Sequence, residues 1–182
     1  ALPLYERILS ISEESLGPNH LDVTADLKNL ARSYEFQSNY EAALPLYERI
    51  LSISEEALGP NHLDVATSLE NLAQLYESRD NYEAALPLYE RILSISEESL
   101  GPNHLDVTAD LKNLARSYEF QSNYEAALPL YERILSISEE ALGPNHLDVA
   151  TSLENLAQLY ESRDNYEAAL PLYERILSIS EE

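Results

Sequence analysis

Apolar residues fall at three- and four-residue steps after each GPNH, as in Val65, Leu69, Leu72, Ala73 and Tyr76. That spacing predicts an amphipathic helix with one apolar stripe, here called the A helix. The B helix that follows carries two stripes. One holds Ala85, Leu88, Tyr89, Ile92 and Ile95; the other holds Tyr82, Leu86, Leu93 and Leu100. Two stripes need two partners, so each B helix is expected to pack on its own A helix and on the next one. Between them, SNYE (Ser38 to Glu41) has the form of a capping box, with Ser at the N-cap and Glu three residues on. DNYE (Asp80 to Glu83) puts Asp in the same place. Pro87, about seven positions into its B helix, removes one hydrogen bond and is expected to bend the axis without ending the helix.

The pattern recurs. ALPLYERILSISEE starts at residues 1, 43, 85, 127 and 169, a period of 42, with the last copy partial. Residues 1–84 and 85–168 are identical, so two 42-residue versions alternate, and they differ at 10 positions. Such identity points to a very recent duplication, strong homogenisation or deliberate concatenation. Residues 1–182 read as a single repeat array with five B segments and four A helices. If half of about 10 large side chains per repeat lost their neighbours, at ~2 kcal/mol each, about 10 kcal/mol would go. That matches the whole stability of a typical domain, ~5–15 kcal/mol, so an isolated repeat is expected to be unfolded while a stack folds. The expected fold is a helical solenoid.

LGPNHLDV occurs four times and holds all four His. Its Gly suits a left-handed residue just past the B helix, and the Pro forbids continuation. Asn61 or His62 is then the expected N-cap of the next A helix, with Asp64 in its first turn, near the positive helix end. Copies of the His in neighbouring repeats should stand at least ~8–10 Å apart, the spacing of packed helices. That is too far for two imidazoles to share one zinc at ~2.0–2.1 Å. The motif reads as a structural joint, with no metal site.

Composition removes other functions. The absence of Cys excludes disulfides, thiol nucleophiles and Cys-based zinc sites. The redox compartment stays open, with cytoplasm favoured over secretion. The chain has no Met and begins inside a repeat, so it reads as a processed product, a fragment or an engineered chain. No apolar run approaches the ~20 residues of a membrane span. A net charge of −22, from 33 acidic and 11 basic residues, opposes nucleic acid and anionic lipid alike. No nucleophile–base set, phosphate loop or metal cluster appears, so the chain is not expected to be an enzyme or to carry a cofactor.

The residues resemble tetratricopeptide repeats, in the 42-residue class found in kinesin light chains. Leu69, Leu72–Ala73, Tyr76, Ala85, Tyr89 and Ile92 match the family's spaced pattern, and ALGPNHLDVATSLENLAQLY is similar to the long class in particular. The resemblance covers the whole chain. It implies an all-α, right-handed superhelical solenoid of antiparallel helix pairs, with A helices lining a concave groove that takes extended peptides or helical segments. Three positions depart from the family: Leu63 where a Pro often opens the A helix, Ser38 or Asp80 where the A–B turn often has Gly, and Glu97 where the shorter repeat closes its B helix with Pro.

On that resemblance the groove residues are Asn29, Asn71, Asn113 and Asn155, one amide per A helix, which either hold a peptide backbone or brace neighbouring helices. The preceding position alternates Lys28, Glu70, Lys112, Glu154, and another alternates Arg32, Gln74, Arg116, Gln158. The cations either anchor an acidic or carboxylate-bearing ligand or form Lys–Glu pairs between A helices, an arrangement the alternation of sign favours. Phe36 and Phe120 either contact a ligand or fill a gap. The 13 Tyr fall at packing positions and read as core. The expected function is a non-catalytic protein-interaction scaffold whose partner is a protein or peptide segment. The alternative is a structural array that assembles end to end, in which the terminal B segment of one molecule displaces or stacks on the first B segment of another.

Overall fold

The computed structural model describes residues 2–181. Among them the elements are nine helices: α1 (Leu2–Leu16), α2 (Val23–Glu35), α3 (Tyr40–Leu58), α4 (Leu63–Glu77), α5 (Tyr82–Leu100), α6 (Val107–Phe120), α7 (Tyr124–Leu142), α8 (Leu147–Ser162) and α9 (Tyr166–Glu181). The odd-numbered helices are the B segments and the even-numbered ones the A helices. Two compact units divide the chain, one up to Ile95 and one from Ser96.

Within each unit a B helix takes the two partners its stripes require. α3 packs on α2 and α4, and α7 packs on α6 and α8. The first core joins Leu27, Leu30 and Ala31 of α2 to Tyr47, Ile50 and Ile53 of α3 and to Leu72 and Leu75 of α4. In the second unit Val149 and Leu153 of α8 meet Ile179 of α9. The two stripes are unequal. Ala85, Tyr89, Ile92 and Ile95 are buried, whereas Tyr82, Leu86 and Leu93 are half-buried and Leu100, at the helix end, is exposed.

The A–B turn corrects the expected capping box. Asn39 caps α3, its side chain accepting from the Ala42 amide at 3.3 Å. Asn81, Asn123 and Asn165 do the same at 3.2, 3.3 and 3.2 Å. Ser38 and Asp80, one residue earlier, instead adopt φ of 55° and 54°. Their role is to end the preceding helix: the Ser38 amide donates to the Glu35 carbonyl at 2.7 Å and the Asn39 amide to Tyr34 at 2.9 Å. These are the paired bonds of a Schellman turn, which needs a left-handed residue at that position. The family's Gly would fill that position without strain.

The GPNH joint behaves as a cap. Gly59 has φ 88° and ψ 154°, an extended conformation open essentially to Gly alone, in place of the helical left-handed one expected. His62 is the N-cap of α4, with Nδ1 accepting from the Asp64 amide at 3.1 Å. His20 makes the same bond to Asp22 at 3.2 Å, yet α2 begins only at Val23. The difference follows the sequence: Thr24 stands where α4 has Ala66, and its hydroxyl donates to the Leu21 carbonyl at 2.6 Å, holding a tighter first turn. The B helices continue through Pro45, Pro87, Pro129 and Pro171.

Candidate functional site

In the first unit a cleft of about 530 Å³ separates α2 from α4. Lys28, Arg32, Glu35 and Phe36 line it from α2, Glu70, Asn71 and Gln74 from α4, and Tyr40 and Tyr47 from α3. The i, i+4 spacing of Lys28, Arg32 and Phe36 sets all three on one face of α2. Lys28 and Asn71 also line a neighbouring cleft of about 260 Å³ with Ile50, Thr67 and Ser68. Asn29 lies on the other side of α2, with Tyr5, Arg32 and Phe36 around about 270 Å³. In the second unit Lys112 and Asn155 line about 220 Å³ between α6 and α8. Arg116 and Phe120, which do not line that cleft, meet each other one turn apart on α6, the guanidinium carbon 5.8 Å from the ring centroid, close enough for a cation–π contact. Asn113 is half-buried on α6 and lines none of these clefts.

The acidic groups of the first cleft are engaged by its own walls. The Tyr47 hydroxyl donates to Glu35 Oε2 at 2.5 Å. Burial first, then the bond to Glu35 and its charge, hold the Tyr47 proton well above the ordinary phenol range; Arg32 opposes this only in part. Glu70 accepts from Gln74 Nε2 at 3.2 Å. Among the described residues Lys28 and Arg32 enter no ion pair, and the expected Lys28–Glu70 bridge does not form. Glu154 likewise takes Gln158 Nε2, at 3.4 Å. Asn71 Nδ2 donates to the Thr67 carbonyl of its own helix at 2.7 Å, so its amide spans to no neighbouring helix through that group. The second unit rebuilds the tyrosine wall: Tyr131 donates to Glu119 Oε2 at 2.5 Å and its proton is held in the same way, with Arg116 opposing.

Two features were hidden in the sequence. One is this Tyr–Glu wall, whose signal is a Glu twelve residues before a Tyr in every repeat; reading the tyrosines as core alone concealed their hydroxyls. The other is a tie between repeats. Arg49 meets Glu13 at 2.6 Å and the Pro18 carbonyl at 2.5 Å, and Arg91, Arg133 and Arg175 repeat it with Glu55, Glu97 and Glu139. Glu97, the residue in place of the shorter repeat's Pro, is thereby explained. Each His Nδ1 accepts an amide of its own loop, and the described residues hold no group of three His, Asp or Glu placed for a metal ion.

These antiparallel helix pairs at a 42-residue period define a helical-repeat protein. The tetratricopeptide repeat profile matches residues 1–56, 23–98, 78–140 and 107–182, and the chain belongs to that family. It is similar to a Podosopora anserina protein described as a kinesin light chain with nearly identical TPR-like repeats, at 25% identity and a TM-score of 0.86, over 98% of this chain and 85% of that one. BtubC (BKLC) from P. vanneervenii shares the fold at 24% identity and a TM-score of 0.79, over 98% and 71%. MamA shares it more distantly, at 16% and 0.63, over 99% and 86%. The chain is thus a tetratricopeptide-like helical solenoid of the 42-residue, kinesin-light-chain-like class. No curated protein sequence matches it.

Proposed function

We propose that the chain is a non-catalytic interaction scaffold that holds a peptide segment against its A helices. The observation that carries this reading is the cleft between α2 and α4, where Glu35 and Glu70 are engaged by Tyr47 and Gln74 while Lys28 and Arg32 form no ion pair among the described residues. Two cations beside an exposed Phe36 suit a segment with a carboxylate next to an apolar side chain. Asn71 supplies an amide oxygen for its backbone. The net charge of −22 opposes a long acidic segment, so the ligand carries one or two acids in an otherwise neutral stretch. No helix of the described residues is long and apolar enough to cross a membrane, and the same charge opposes nucleic acid.

The test is selection from a random peptide library displayed against the chain, repeated with a variant carrying Lys28→Ala, Arg32→Ala, Lys112→Ala and Arg116→Ala. Selected peptides should carry acids beside apolar residues and lose at least about tenfold in affinity for the variant, one charge-assisted contact's worth. The pair Asn71→Ala with Asn113→Ala should weaken capture at unchanged helicity. Peptides without acids, or equal binding to the cation variant, would sink this assignment.

A further inference from the structure

Thr24, Ala25, Lys28, Arg32 and Phe36 line the two clefts between α2 and α4, and each stands at one of the 10 positions where the repeat versions differ. Exposure alone does not explain this. Pro45, Glu48, Ser52 and Glu56 of α3 are exposed too, yet both versions carry the same residue at each. The difference between versions is concentrated on the groove.

We propose that the smaller cleft, of about 260 Å³, is a second subsite of that groove and takes a branched aliphatic side chain of the ligand. This rests on the cleft reading above and specifies its peptide: a Val, Leu or Ile separated by one residue from the acid that meets Lys28. The lining gives the chemistry. Leu21, Ala25, Ile50 and Leu58 present carbon. The hydroxyls among them have already given their protons to protein oxygens: Thr24 to the Leu21 carbonyl at 2.6 Å, Ser54 to Ser68 at 3.0 Å, and Ser68 to the Asp64 carbonyl at 3.2 Å. An aliphatic side chain seated there leaves none of these donors unsatisfied. Lys28 lines both clefts, and Asp64 lies at the far end of the smaller one, where its charge repels a second acid. The acid therefore sits at the Lys28 end.

The spacing follows from the helix. Lys28 is three residues beyond Ala25 and four beyond Thr24, ~5–6 Å along α2. Two residues of an extended peptide cover ~6.6 Å and point to the same side, so alternate side chains reach Lys28 and the subsite together. The second unit repeats the subsite at about 220 Å³, with Lys112, Ala109, Ile134 and Asp148 in the same places and the Ser138–Ser152 pair at 3.2 Å beneath. Each unit thus holds one.

Ala25 and Ala109 are exposed, so Ala25→Leu and Ala109→Leu fill the subsites without entering the core, and far-UV circular dichroism should not change. Peptides selected from a random library on the parent chain should carry Val, Leu or Ile two positions from an acid. The double variant should select Gly or Ala there and keep the acid. Calorimetry with one selected peptide should count one site per unit on the parent chain and lose one of them with Ala25→Leu alone. Filling both should weaken that peptide at least about tenfold, and its Ala-substituted form by less than about twofold. Acid-bearing peptides with no preference at the second position, a preference that survives the double variant, or a single site on the parent chain would overturn the subsite and leave the cation cleft standing. Peptides without acids, or binding indifferent to Lys28→Ala with Lys112→Ala, would overturn the cleft reading and the subsite with it.

Discussion

Arg91 of α5 holds Glu55 of α3 at 2.6 Å, thirty-six residues behind it, and the same nitrogen donates to the Pro60 carbonyl at 2.9 Å. One guanidinium thus fixes the end of the preceding B helix and the loop that leaves it. Both side chains are about one-third exposed, so solvent screens the charge pair and leaves it worth ~0.5–1 kcal/mol. The bond to a loop carbonyl adds about 1 kcal/mol. Arg91→Ala should therefore lower stability by about 1–2 kcal/mol in urea unfolding. Arg91→Lys should recover less than half, because a single ammonium on a flexible stem cannot keep both contacts in one geometry. A lysine variant as stable as the parent would show that only charge matters.

The two loop types predict opposite signs. A Cβ added at Gly59 meets nothing within 4 Å, so Gly59→Ala tests the backbone alone and should cost ~1–3 kcal/mol. Ser38 already bears a left-handed cost at φ 55°, so Ser38→Gly should stabilise by about 0.5–1 kcal/mol despite the added freedom of the unfolded chain. Thermal melts of both variants decide the matter.

Ser117 presents a buried hydroxyl with no hydrogen-bond partner among the described residues, at the position that is Leu75 and Leu159 in the other repeat version. Removing it relieves an uncompensated burial. Ser117→Ala should raise stability by about 1 kcal/mol in denaturant titration. A loss of stability would mean that the hydroxyl's packing outweighs its missing partner.

Tyr47 gives the chain an alkaline response. Its folded-state proton affinity is raised, so the stability it contributes is full below the ordinary phenol value of ~10 and is lost as pH climbs through the higher folded value. The unfolding free energy should fall above pH ~10, and Tyr47→Phe should flatten that fall while losing the bond to Glu35. Phenolate absorbance during alkaline titration should show Tyr47 and Tyr131 ionising after the exposed tyrosines.

The repeat, both helices and the joint were legible because each rests on local rules: spacing gives the stripe, and Gly–Pro–Asn–His gives the stop and start. The cap was misplaced by one residue because Ser38-Asn39 offers two capping side chains in a row. Only the demand for a left-handed residue ahead of the Schellman bonds assigns the cap to Asn39. Lys28 and Glu70 were paired by the alternation of sign, but Gln74 sits one turn from Glu70 on its own helix and takes it first. The Arg91–Glu55 tie was out of reach because its partners are separated by a loop and a whole A helix, and only packing brings them together.

Those ties also give the chain a direction in time. Arg49, Arg91, Arg133 and Arg175 all reach back to a carboxylate and a carbonyl already passed in the sequence, and none reaches forward. As the chain leaves a ribosome, each new B helix therefore finds its anchorage already synthesised. Assembly can proceed in step with translation, each repeat fastening onto finished work.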